Sequence, residues 1–143
     1  MTVARILKEK GRDVLTTQPH RTLQEVAAVL GVRGFGAVVV ADAAGHVLGI
    51  LSERDIVRAV GELGAESLSD PVSKHMTARV STVSEETTIN DVMQTMTNGR
   101  FRHMPVVEDG RLVGIVSIGD IVKRHVNELH SEREALREYI ATA

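Results

Sequence analysis

The chain carries one motif twice. Residues 45–58 read GHVLGILSERDIVR and residues 110–123 read GRLVGIVSIGDIVK, identical at seven of 14 positions at an offset of 65, where unrelated segments of ordinary composition share about one. A repeat of this size is one supersecondary unit that cannot bury its apolar face alone and must pack on its copy. The likeness continues upstream, where residues 14–22 align with 80–88 and residues 37–40 with 104–107. A chain of 143 residues has room for one compact domain, or for two small halves that share a core.

Within each unit the pattern predicts strand, helix, strand, strand, helix. Thr22 and Thr88 each precede an apolar-periodic stretch and have an acid three residues on, Glu25 and Asp91, a capping-box-like helix start. Leu23, Val26, Ala27 and Leu30 recur at helical spacing on one face, as do Ile89, Val92, Met93 and Met96, so both sets are expected in the core. A soft binding stripe is the other reading of Met93 and Met96, and packing explains them better. Two short apolar runs follow, divided by turns at Asp42 to Gly45 and at Glu108-Asp109-Gly110, which signals a hairpin. The last helix of each unit starts at Ser52 or Ser117 and carries Ile56, Val57 and Val60, or Ile121 and Val122, toward the core.

The expected fold is α+β: two β-α-β-β-α repeats packed through their sheets with pseudo-twofold symmetry. Residues 1–62 make the first repeat with an N-terminal helix, and 63–76 a linker marked by Gly64, Ser67, Ser69 and Pro71. Residues 77–127 make the second repeat and 128–143 a C-terminal amphipathic helix. Its stripe, Val122, Val126, Leu129, Leu136 and Ile140 with Arg133 interrupting, needs a cover. The N-terminal helix around Ala4 to Leu7 and a second copy in a homodimer both remain open.

Composition removes several function classes. The net charge of −2 offers no broad positive field, and Lys123, Arg124 and His125 form only a short basic cluster, so no nucleic-acid partner is expected. The aromatics are Phe35, Phe101 and Tyr139, so a bound base cannot rest on several stacked rings. There is no cysteine, which removes disulfides and thiolate chemistry. No apolar run approaches the roughly 20 residues of a membrane span, and Met1 to Lys10 lacks the apolar core of a signal peptide. A cytoplasmic location without membrane association is expected. His20, His46, His75, His125 and His130 have no metal-ligand spacing, so surface placement is the default for each and no metal is expected. Neither a nucleophile with a partner base nor a Walker or Rossmann phosphate loop is present, and an enzyme reading has no residues to carry it.

Two segments can carry ligand chemistry, Gly49-Ile50-Leu51-Ser52-Glu53-Arg54-Asp55 and Gly114-Ile115-Val116-Ser117-Ile118-Gly119-Asp120. Each follows an apolar strand and opens a helix. The bland reading is capping, with the serine hydroxyl accepting a backbone N–H and the acid reaching back. The functional reading is compatible with it. A helix N-terminus favours a phosphate, and a carboxylate can accept both hydroxyls of one ribose.

Both segments resemble the ligand signature of CBS (cystathionine beta-synthase) domains, and Met104-Pro105-Val106-Val107 is similar to the strand before that family's hairpin. The likeness runs from about Ala4 to Val126 and identifies the chain as a tandem pair, a stand-alone Bateman module. It implies that Asp55 and Asp120 hold ribose, that Ser52 and Ser117 sit by the nearest phosphate, and that Arg102 and His103 correspond to the phosphate-contacting pair of nucleotide-sensing members. Arg54 is a further basic candidate. The resemblance also places Thr17, Ala37, Thr82, Met104 and Pro105 at the ligand. The implied ligand is an adenine nucleotide, AMP, ATP or NAD(H), in clefts between the repeats, with the signal passed to a separate downstream protein. The alternative is a homodimeric interaction module whose clefts are structural. The two sites are expected to differ, since Arg54 stands against Gly119 and Gly36-Ala37 against His103-Met104.

Overall fold

The computed structural model describes residues 1–142. In chain order it contains α1 (Val3–Lys10), β1 (Thr16–Thr17), α2 (Leu23–Arg33), β2 (Ala37–Ala41), β3 (Val47–Ser52) and α3 (Glu53–Leu63). After a 3-10 segment (Ala65–Ser69) come α4 (Val72–His75), α5 (Ile89–Gly99), β4 (His103–Glu108), β5 (Arg111–Ser117) and α6 (Ile118–Thr142). The first repeat forms a three-stranded sheet in the order β1-β2-β3, with β1 parallel and β3 antiparallel to β2. In the second repeat β4 and β5 pair antiparallel, and the strand expected before α5 is reduced to one parallel bridge between Val83 and Val106.

Local chemistry sets the helix ends. The Thr22 hydroxyl accepts from Glu25 N at 3.2 Å and the Thr88 hydroxyl from Asp91 N at 3.2 Å, satisfying N–H groups that the first turn leaves open. Leu23, Val26, Leu30, Ile89, Val92 and Met96 are buried as the spacing predicts. Ile56 and Ile121 also point inward, but Val57 is 70% exposed and Val122 51% exposed. Ala59 takes the inward position in α3, so the buried face of that helix runs through Ile56 and Ala59 rather than through Val57.

Two separate apolar clusters result, and their membership cuts across chain order. Val72 from α4, with Leu68 and Met76 beside it, packs into the first repeat's core with Leu23, Val26, Val38 and Leu51. Val3, Ile6 and Leu7 of α1 pack instead into the second repeat's core with Ile89, Val92, Met104 and Val116. The N-terminal helix therefore belongs structurally to the second repeat, and the end of the linker to the first. The backbone repeats this exchange symmetrically: Val3 N donates to Thr87 O at 2.9 Å and Val72 N to Arg21 O at 2.7 Å.

β2 is buried along its whole length. Val38 and Val40 face the first cluster, while Ala37, Val39 and Ala41 are buried on the opposite face and belong to neither cluster. That second face is where the two repeats meet through their sheets, the pseudo-twofold arrangement expected from the duplication.

α6 is one uninterrupted helix of 25 residues, about 37 Å long, with no break at residue 127. α1 meets it only near its root, through Lys10 to Asp120 and Arg124 to Glu9. Val126, Leu129, Leu136 and Ile140 are at least half exposed, so the N-terminal helix does not cover the stripe.

The exchange of helices gives a direct expectation. Leu7→Ala should cost about 2–5 kcal/mol in urea denaturation, with amide protection lost in β4, β5 and α5. Loss confined to β2 and β3 would contradict this packing. Gly49→Ala would set a Cβ 2.7 Å from Thr77 O, a backbone atom that cannot rotate away, and should destabilise by about 1–3 kcal/mol in the same measurement.

Candidate functional site

Both Ser-x-x-Asp segments form reciprocal caps. The Ser52 hydroxyl accepts from Asp55 N at 3.3 Å and Asp55 Oδ2 accepts from Ser52 N at 2.9 Å. In the second repeat the Ser117 hydroxyl accepts from Asp120 N at 3.2 Å and Asp120 Oδ2 accepts from Ser117 N at 2.9 Å. The capping reading is therefore correct for both, and it fixes each carboxylate at the start of a helix.

Beyond the caps the two environments diverge. Ser52, Arg54 and Asp55 open onto a cleft of 690 Å³ whose opposite wall, Arg100, Arg102 and His103, comes from the second repeat. This volume is within the range of small-molecule sites. Arg58 lines the cleft too, 3.7 Å from Asp55 Oδ1. Four guanidinium groups (Arg54, Arg58, Arg100, Arg102) thus share one cleft with two carboxylates, Glu53 and Asp55. Arg102 and His103, which directly precede Met104-Pro105 in the second repeat, line the cleft that holds the first repeat's carboxylate.

His103 lines this cleft beside Gly36, where an added Cβ would be 3.5 Å from its Nε2. Burial pushes the imidazole pKa below its ordinary value, and the Lys10 ammonium adds to this against the opposing pull of Asp120 and Glu53. His103 is therefore held toward the neutral form.

The Asp120 carboxylate meets Lys10 instead of open space, with Lys10 Nζ donating to Oδ2 at 2.6 Å and to Ile115 O at 3.0 Å. Burial raises its pKa, but the Lys10 hydrogen bond and the Ser117 backbone N–H outweigh that and hold it below the usual carboxylate range.

The remaining sequence-predicted residues do not join the large cleft. Thr17 lines a separate cavity of 210 Å³ with Leu15, Arg21 and Val38. Thr82 is exposed. Ala37 is buried on β2 beside Gly36, and Met104 lies in the second repeat's apolar core. Pro105 is buried on the other face of β4, where its carbonyl accepts from Val83 N at 3.0 Å. His75, expected at the surface, is mostly buried and bonded through Nε2 to Asp70 Oδ2 at 2.8 Å. Among the described residues no group of His, Asp and Glu is placed to hold a metal ion.

The hairpin registers correct the alignment of the repeats. Ala37 pairs with Ser52 and His103 with Ser117, so Ala37 corresponds to His103 and not to Met104. The offset of 66 runs through the strand, and its step to 65 falls in the turn, where five residues separate Ala41 from Val47 but four separate Val107 from Leu112. Phe35 then corresponds to Phe101, Gly36 to Arg102 and Gly34 to Arg100. Gly34 and Arg100 share a left-handed conformation at φ 70° and 57°, which costs an arginine more than a glycine. Sequence reasoning missed Arg100 and Arg58; the matched helix end at Gly34 was the signal available for the first.

Comparison with known proteins agrees with this architecture. The CBS domain matches twice, over residues 3–62 and 72–127. The CBS-domain containing protein ATU1752 from Agrobacterium tumefaciens is 50% identical, with a TM-score of 0.84 over 87% of this chain and 99% of that one. The mitochondrial CBS domain-containing protein CBSX3 of Arabidopsis thaliana is 33% identical over 97% of this chain, which spans 71% of its length. A 17.7 kDa protein of Acidianus ambivalens is 39% identical over 77% of this chain and 66% of its own. The CBS domain pair of protein MJ0100, solved in complex with 5′-methylthioadenosine and S-adenosyl-L-methionine, is 25% identical with a TM-score of 0.80 over 90% of this chain and 98% of that one. With both repeats matched and the pair architecture shared, the chain belongs to the CBS domain family, as a tandem pair of the regulatory-module type.

Proposed function

We propose that this module is a cytosolic sensor that binds an adenine nucleotide in the cleft at Asp55 and passes the signal to a separate protein, without catalysing a reaction. The supporting observation is the cleft itself, where the cap-fixed Asp55 carboxylate shares one space with four guanidinium groups, two from each repeat, and with the His103 imidazole. In this reading Asp55 accepts the ribose hydroxyls. The arginines hold phosphate, which a carboxylate alone would repel. A nucleotide bridging the walls would draw the repeats together, the differential contact that lets a ligand bias their packing. The adenosyl compounds named for MJ0100 support the adenosine half of this assignment. The basic wall favours phosphate-bearing ligands, AMP, ATP or NAD(H), over those uncharged at that end.

The exposed α6 stripe supports a second element. Val126, Leu129, Leu136 and Ile140 form an apolar face that nothing among the described residues covers, and in our proposal a second copy covers it in a homodimer. Leu129→Glu with Leu136→Glu should convert the dimer to monomer in sedimentation equilibrium. An unchanged mass would remove α6 from the interface. A dimer that binds none of the three nucleotides would favour the interaction-module reading.

Calorimetry with AMP, ATP and NADH tests the binding site. Asp55→Ala should weaken the bound nucleotide by roughly 10- to 150-fold, about 1.5 to 3 kcal/mol for hydrogen bonds to a charged acceptor. Equal affinity in wild type and variant would move the ribose elsewhere.

The His103 environment sets a pH dependence. A phosphate beside an imidazole held toward its neutral form favours protonation, so binding takes up a proton and affinity should rise as pH falls from 8 toward 6. His103→Gln, titrated in parallel to subtract proton uptake by the ligand itself, should flatten that rise. Identical pH profiles for the two proteins would place the phosphate away from His103.

A further inference from the structure

The two Ser-x-x-Asp caps superimpose in their bonding but not in what reaches them. In the first repeat α4 ends at His75 and the chain turns extended, so that Thr77 pairs with Ile50 as an isolated bridge: Thr77 N donates to Ile50 O at 2.9 Å, and Ile50 N donates to Thr77 O at 3.0 Å. The equivalent helix in the second repeat is α1, with Val3 matched to Val72 by backbone bonding and Leu7 to Met76 by the approach each makes to a strand glycine, Gly114 or Gly49. α1 does not stop there. It continues to Lys10, whose ammonium takes Ile115 O, the acceptor equivalent to Ile50 O, and reaches on to Asp120.

The second carboxylate is also poor in cations of the kind that surround the first. Its register equivalents to Arg54, Arg100 and Arg102 are Gly119, Gly34 and Gly36, and His103, whose own equivalent is Ala37, is close enough to feel the charges of both Asp120 and Lys10. Only Arg58 has a basic counterpart, Lys123. The nearest cation to Asp120 is therefore a side chain of the same polypeptide sitting where a ribose hydroxyl would bind. Asp120 lines neither the 690 Å³ cleft nor the 210 Å³ cavity.

We infer that Lys10 is an intramolecular competitor at Asp120, so that the two sites fill in order, the Asp55 cleft first and the Asp120 site only when Lys10 is displaced. This deepens the proposed function and rests on its assignment of ribose to these carboxylates. Displacement would have a structural consequence, because Glu9, one residue before Lys10, is bonded to Arg124 on α6 at 2.9 Å. Ligand at the second site would thus loosen α1 from the root of the long C-terminal helix, whereas ligand at the first would leave that contact in place.

The test uses Lys10→Met, which keeps the aliphatic stem and removes the ammonium, and adenosine, which carries ribose without phosphate. In an Asp55→Asn background that disables the first cleft, adding Lys10→Met should tighten adenosine binding by about 10-fold or more in calorimetry. Equal affinities, or no binding by either protein, would overturn the inference. A ligand-free measurement separates this from the parent proposal: the carbon-13 carboxyl titration of Asp120 should move to higher pH in Lys10→Met. An unmoved titration would show that the pair does not form and would end the inference even if the Asp55 cleft binds nucleotide. Conversely, a moved titration with tighter adenosine binding would sustain it whichever nucleotide the first cleft takes.

Discussion

Each repeat has a sheet with two faces and helices enough to cover only one. The first repeat shows the consequence most plainly, because all five residues of β2 are buried while only Val38 and Val40 belong to its own apolar cluster. The other face must be covered from outside the repeat, and the copy supplied by the duplication is the surface that fits. Burial of this kind is the largest favourable contribution available to a chain of this size. The clefts, the exchanged helices and the long C-terminal helix are all arranged around it.

The exchange of α1 and α4 follows from the same need. Each repeat lacks one short helix of its own and receives it from the segment that precedes the repeat's partner in the chain, Val3, Ile6 and Leu7 on one side and Val72 on the other. The two contributions are equivalent in backbone bonding but unequal in length, and the difference of about one turn decides what each carboxylate meets. One faces an open cleft lined by both repeats, the other an ammonium group. A symmetric fold thereby surrounds its two equivalent carboxylates differently.

Much of this was legible in the sequence because it is local. The threonine caps, the buried faces of α2 and α5 and both serine-aspartate caps depend on spacings of three and four residues, which a sequence displays directly. Val57 and Val122 were misplaced because a helix on a sheet buries a narrower face than its apolar content suggests, and here the valines lie one position off it. The one-residue error in aligning Ala37 had a related cause: the inserted residue lies in the hairpin turn, and a run of valines offers no feature to fix register. Arg102 facing Asp55, and Lys10 reaching Asp120 across 110 residues of sequence, are products of the pairing between repeats and have no local trace. Thr17 and Thr82 lie away from the large cleft for the same reason, since their placement depends on how the halves meet.

In the proposed function the nucleotide enters the cleft joining Asp55 to the basic wall of the second repeat. Amide chemical shifts during an ATP titration measure this most directly. The first and largest changes should fall together on residues 52–58 and 99–103, two stretches far apart in sequence and from opposite repeats. Changes confined to one of these stretches, centred on the cavity at Leu15 and Thr17, or appearing first around Lys10 and Asp120 would contradict it.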